Sequence, residues 1–207
     1  MILNAIRGHL AEFGIIAAQG PRQVMGMIAR LRDDGDASLP EIARSALLAL
    51  GAHLEALAGE IRTLERQLMV WHRADPTSQR LETIPGVGLI TATALAASVS
   101  DPSVFKSGRE FAAFLGLVPR QNSSGGKDRL GRISKMGDRY LRKLLVVGAT
   151  SVIRRAGSNP TKTGAWVRSL MERKPARVVT VGMANKTARI AWAVMTRGET
   201  YRASPIA

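Results

Sequence analysis

A leucine-rich stripe sets the strongest limit on how this chain can fold. Between Pro40 and His72, residues Leu47, Leu50, Leu54, Leu57, Ile61, Leu64, Leu68 and Trp71 recur at alternating steps of three and four, with Glu55, Glu60, Arg62, Glu65 and Arg66 between them. That spacing lays one apolar seam along one helix and is the heptad pattern of a coiled coil or a long helical hairpin. A helix with such a seam needs something to cover it. Dimerisation through residues 45–72 is the preferred expectation, which makes the chain a homo-oligomer. The alternative partner is internal: Met1–Gly20 carries Ile2, Leu3, Ile6, Leu10, Phe13 and Ile16 at near-helical spacing and can fold back along the stripe. Gln23–Arg32 supplies another short helical pattern. The acidic run Asp33-Asp34-Gly35-Asp36 after it reads as a solvated turn capping the next helix, ahead of a metal site.

Charge then separates the two halves. The 207 residues hold 30 Lys and Arg against 16 Asp and Glu, a net charge of +14. From Lys106 onward there are 21 basic and 5 acidic residues, whereas the part before it has 9 and 11. A polyanionic partner is implied, with nucleic acid ahead of a membrane surface, and it binds the second half. The chain has no cysteine, which excludes disulfides, zinc–thiolate sites and cysteine nucleophiles. His9, His53 and His72 are too scattered to suggest a metal site and read as surface or helix-packing residues. No signal-peptide pattern shows, and no apolar run reaches the roughly 18 residues of a membrane span, so a cytoplasmic location is expected.

Ala74-Asp75-Pro76 ends the stripe and opens a second unit, so the expected domains are 1–73, a helical dimerisation segment, and 74–207. Within the latter, Leu81-Glu82-Thr83-Ile84-Pro85-Gly86-Val87-Gly88-Leu89-Ile90 has the form helix, glycine turn, helix, and residues 77–99 resemble a helix-hairpin-helix motif. Such a turn aims backbone amides at the start of the Leu89–Val99 helix toward a phosphate, which makes Gly86, Val87 and Gly88 candidate nucleic-acid contacts. A purely structural hairpin is the other reading. Phe111, Phe114 and Leu115 are spaced as core on a short helix over Ser107–Leu117. Next comes a polar loop over residues 119–137 containing Gln121-Asn122-Ser123-Ser124-Gly125-Gly126-Lys127, followed by a helix from about Asp138. Two adjacent hydroxyls, two glycines and a dense basic set, Lys127, Arg129, Arg132, Lys135, Arg139, Arg142 and Lys143, suit a serine aimed at a phosphodiester. A flexible polar turn before an amphipathic helix explains the same local composition. Lys186–Met195 reads as a final helix, Arg173-Lys174-Pro175 as an exposed loop and Ala203–Ala207 as a disordered end. The fold expected is therefore mainly α: a long coiled-coil-like helix, then a compact helical DNA-binding domain.

Taken together, Ile84-Pro-Gly-Val-Gly88, Phe114-Leu-Gly-Leu-Val-Pro-Arg120, Ser123-Ser-Gly-Gly-Lys127 and Gly131-Arg-Ile-Ser-Lys-Met-Gly-Asp-Arg-Tyr-Leu-Arg142 closely resemble one transposase family. It is the bridge-RNA-guided insertion-sequence transposases related to the Piv pilin-gene invertase, and Asn4–Gly14 resembles that family's central helical segment. The resemblance implies DNA transposition with a structured guide RNA and a serine nucleophile, which maps to Ser124, with Ser123 as the alternate. It also implies a RuvC-like nuclease domain bearing four metal-binding acids at the amino-terminal end of family members. That part has no counterpart in these residues, so magnesium is expected only with such a domain, no cofactor is assigned to this chain, and the chain alone is not expected to complete recombination. Two rivals remain. One is a non-catalytic architectural or accessory DNA-binding protein; the other is a tyrosine recombinase using Tyr140, disfavoured because no histidine follows His72.

Overall fold

The computed structural model describes residues 1–33, 39–122, 129–158 and 160–203. The chain is mainly helical, with one two-stranded sheet among the described residues. It divides into two units, Met1–Gln67 and Leu68–Ala207.

The first unit contains α1 (Ile2–Glu12), α2 (Pro21–Asp33) and most of α3 (Glu41–Ala74). Gly20 at φ 111° turns the chain into α2, whose Pro21 fits the first helical turn, where no amide hydrogen is needed. Ile6, Leu10, Val24, Ile28, Leu31, Leu39 and Leu47 form its core, with Leu48, Leu50 and Leu54 packed on them. Gly51 lets the Ile28 side chain lie directly against α3, where any Cβ would collide with it. The Arg44 Nε–H donates to the Leu31 carbonyl at 3.1 Å, satisfying one of the orphan acceptors at the end of α2. The internal partner foreseen for the stripe thus covers its beginning. Further along, Leu57, Ile61 and Leu64 are 45%, 55% and 63% exposed. The acidic turn falls largely in residues 34–38, outside the described residues.

The second unit is built on α9 (Ala176–Arg197), which packs against α4 (Pro76–Glu82), α6 (Gly108–Phe114), α7 (Arg139–Arg154) and α8 (Lys162–Met171). Val179, Met183, Ala184, Ala188, Ala191 and Val194 are buried around it, and its alanines let neighbouring helices approach closely. α9 begins ten residues before the sequence pattern suggests. Val178, Val179, Thr180 and Val181 weaken helix propensity there, and burial overrides it. Its limits are set by Pro175 at the N-cap and by Gly198, left-handed at φ 67°. α5 (Leu89–Ser98) packs on α4 and α7. Asp75, Ser107, Asp138 and Thr161 cap α4, α6, α7 and α8 through their side chains.

His72 is more than a packing residue. Its Nε2 lies 2.9 Å from Glu82 Oε2 and its Nδ1 2.7 Å from Ser78 Oγ. In the neutral ring, Nε2–H donates to the carboxylate and Nδ1 accepts from the hydroxyl. The geometry is that of a Ser-His-Glu triad, yet Ser78 is fully buried and no substrate can reach its oxygen. It is a polar staple across the corner between α3 and α4. Truncating the ring leaves a buried hydroxyl without its partner, so His72→Ala is expected to lower stability by about 2 kcal/mol. Urea denaturation with an unchanged slope against denaturant checks this.

Candidate nucleic-acid interface

Two short strands, β1 (Pro119–Gln121) and β2 (Leu130–Ile133), pair antiparallel, Pro119 opposite Ile133 and Gln121 opposite Leu130, with a bulge between. The Asn122 amide donates to the Arg129 carbonyl at 2.9 Å, so the paired backbone brackets the segment 123–128. Ser123, Ser124 and Lys127 themselves lie outside the described residues. The hairpin is not legible in the sequence: with only three and four residues, and glycine and arginine among them, it carries no alternating pattern.

Glycines lock the root of this hairpin. Gly116 (φ 68°) and Gly137 (φ 78°) are both left-handed, and a Cβ on Gly116 would strike the Met136 backbone, one on Gly137 the Phe114 carbonyl. The Lys135 amide donates to the Gly116 carbonyl at 3.1 Å, and Ser134 to Val118 at 2.9 Å. Lys135 itself is left-handed at φ 57°, held there by these backbone bonds. Close approach of two chain segments explains why glycines stand at those positions.

The basic residues divide by role. Arg132, Lys135, Arg139 and Lys143 are exposed, and among the described residues none of them is in an ion pair. Arg129 is also exposed. Arg142, grouped with them on sequence grounds, is half-buried instead: its Nη1 donates to the carbonyls of Leu115 at 2.9 Å and Met136 at 3.0 Å. It clamps the start of α7 to the hairpin root. Tyr140 is 55% exposed and lines an apolar groove with Leu68, Trp71, Ile90, Thr93 and Ala97. The first turns of α5 and α7 therefore meet at one groove.

The glycine turn before α5 has two different glycines. Gly86, at φ 84°, touches the backbone of Gly148 in α7, and a Cβ on it would come within 2.7 Å of the Gly148 carbonyl oxygen. Val87 is 5% exposed and belongs to the core. Gly88 is exposed, serves as N-cap of α5 without a side-chain cap, and has no atom within 4 Å of where a Cβ would stand. Of the three candidate contacts, Gly88 has the open space that a ligand needs, while Gly86 and Val87 hold the turn against α7. Among the described residues no group of three or more His, Asp or Glu side chains is placed to hold a metal ion. No helix among them is long and apolar enough to cross a membrane.

The turn, the hairpin and α7 fall within a stretch, residues 78–164, that matches the family described as Transposase IS116/IS110/IS902 family. Similarity to proteins named transposases extends over nearly the whole chain. It is 46% identical over 202 residues, 97% of this chain and 52% of its relative, to transposase y4pF/y4sB of Sinorhizobium fredii. It is 37% identical over 201 residues, 97% of this chain and 55% of the relative, to the transposase for insertion sequence element IS1111A of Coxiella burnetii. A weaker similarity, 29% over 122 residues covering 58% of this chain and 37% of the relative, joins it to the pilin gene-inverting protein of Moraxella bovis. The chain spans about half the length of the two transposases.

Proposed function

We propose that this chain is the DNA-strand-transfer part of an insertion-sequence transposase, with Ser124 as the nucleophile and a structured guide RNA as a second nucleic-acid partner. The observation that carries the proposal is the exposed set Arg132, Lys135, Arg139 and Lys143, on β2, the loop after it and α7, which follow the bracketed serine segment. In the reaction, the serine Oγ attacks a DNA phosphorus, an Oγ–P bond forms and a P–O bond to the DNA breaks, releasing a DNA hydroxyl that takes a proton. Attack by another DNA hydroxyl on the serine phosphodiester reverses the exchange and frees the serine. One phosphodiester is traded for another at each step, so no outside energy source is needed. The basic residues neutralise the charge that builds on the non-bridging oxygens. A magnesium-dependent RuvC-like domain belongs to the same proposal as a separate part, and no step above passes through it.

The reading rests also on the distribution of charge. Each neutralised phosphate contributes about −0.9 to the log–log dependence of affinity on salt. The purified chain is expected to lose duplex affinity steeply between low and physiological salt, and an anisotropy titration across salt concentrations checks this. A salt-insensitive complex counts against a phosphate-facing surface.

Self-association is proposed through the part of the stripe that α1 and α2 leave open. Leu57, Ile61 and Leu64 recur at heptad spacing and are exposed. A double substitution, Ile61→Glu with Leu64→Glu, is expected to convert dimers to monomers in sedimentation without lowering helix content. The architectural alternative shares the charge and the turn; it differs in needing no serine. A covalent-trapping assay on labelled DNA, with guide RNA and a RuvC-like domain supplied separately, decides between them.

A further inference from the structure

A cleft between α6, α8 and α9 lies outside everything assigned above. It encloses about 920 Å³, and its walls bring together Arg109, Trp166, Asn185, Lys186, Arg189 and Trp192. The Lys186 ammonium stands 4.6 Å from the centroid of the Trp166 ring. Partial burial lowers its pKa. Among the described residues no acidic side chain lines the cleft and no carboxylate pairs with Arg109, Lys186 or Arg189. A partly desolvated ammonium over an aromatic ring, with two guanidinium groups on the same walls, makes a concave field of one sign. A neutral ligand leaves that repulsion in place; an anion relieves it.

Two of the other polar groups are engaged elsewhere. Trp192 Nε1–H donates to the Pro102 carbonyl at 3.0 Å, and Asn185 Nδ2–H donates to the Leu117 carbonyl at 3.1 Å. The second bond places the cleft beside the root of the serine hairpin, because Leu117 lies two residues before β1. Gly108 makes the wall possible: a Cβ there would meet the Arg189 backbone at 3.0 Å and the Trp192 ring at 3.2 Å. Residues 107–109 therefore lie close against α9, bringing Arg109 to the same walls. The volume is several times that of a free phosphate, which suits one unit of a longer polyanion.

We propose that this cleft binds a backbone phosphate of a nucleic-acid strand, with Lys186 at its centre and Arg109 and Arg189 flanking it. The contact is additional to the one made by Arg132, Lys135, Arg139 and Lys143. The inference rests on the reading of the chain as a nucleic-acid-binding transposase part.

Anisotropy titrations of the full chain with labelled duplex and single-stranded DNA and single-stranded RNA, across salt, test it. Lys186→Met is expected to weaken binding about tenfold and to lower the salt slope by about one, with Lys186→Arg restoring both. Should Lys186→Met lower the melting temperature, the exposed pair Arg109→Ala with Arg189→Ala gives the same readout without touching the half-buried Lys186. The strand type most affected identifies which nucleic acid occupies the cleft. Unchanged affinity and slope in the cleft variants, alongside losses in Arg139→Ala with Lys143→Ala, overturn the inference and leave the proposed function standing. Saturable quenching of tryptophan emission by inorganic phosphate, with nucleic-acid binding unaffected by the cleft variants, makes it a small-anion site and also overturns the inference. Absence of any nucleic-acid binding by the unmodified chain removes the proposed function, and this inference with it.

Discussion

Ser124→Ala is expected to abolish the covalent protein–DNA product while leaving DNA affinity within about twofold. A hydroxyl that forms the bond has no substitute in an alanine, so the rate falls on the order of a thousandfold or more. On the proposed reading binding persists, because the basic residues assigned to it, Arg132, Lys135, Arg139 and Lys143, are not touched by the substitution. Ser123→Ala is the matched control, since it keeps the neighbouring hydroxyl and the same backbone. The readout is a band that survives denaturing electrophoresis: lost in Ser124→Ala, kept in Ser123→Ala. The reverse pattern moves the nucleophile one residue. No band from the unmodified chain with guide RNA and a RuvC-like domain present, beside tight salt-sensitive binding, favours the architectural alternative.

Gly86→Ala should cost the most stability of any single methyl added to the second unit's glycine turn. The residue is left-handed at φ 84°, a conformation costing about 1–2 kcal/mol for an alanine. The new Cβ also meets the Gly148 carbonyl oxygen at 2.7 Å and Val152 Cγ2 at 2.8 Å, which forces apart two packed backbones for about another 1–3 kcal/mol. Together the loss is about 2–5 kcal/mol, a large share of what holds a domain of this size folded. Gly88→Ala makes the contrast. At φ −103° with open space around it, the same methyl is expected to cost about 1 kcal/mol or less. If a phosphate sits against the first turn of α5, however, Gly88→Ala weakens DNA binding without that loss of stability. Thermal melts of both variants, paired with anisotropy, separate the two roles within three residues.

These two glycines also mark how much of the molecule can be read from its sequence. Helical periodicity locates α1, α2, α3 and α7, and the cap residue Asp138 marks where α7 starts. Charge counting places the basic excess after Lys106. Gly86 and Gly88 look equivalent in sequence because both follow an apolar or cyclic residue in one short turn. Their backbone conformations, φ 84° against φ −103°, and the position of Gly148 on another helix distinguish them. Arg142 likewise matches its neighbours Arg139 and Lys143 in composition, and the carbonyls that claim it belong to Leu115 and Met136.

Trp166 and Lys186 stand twenty residues apart, and no local pattern announces that they meet; α8 and α9 bring them together only after both have packed. In the same way, Leu47 and Ile61 belong to one periodic seam, yet the first is buried and the second exposed. Residue order alone dictates the helical class, the seam, the sign and location of the charge, and the similarity to proteins named transposases. Those properties depend on residue type and near-neighbour spacing, which the chain carries before it folds. Packing then selects which glycines are squeezed between backbones, which arginines remain available to a phosphate and which half of the seam is covered. Each of those depends on atoms distant in sequence, and their positions exist only once the helices have packed.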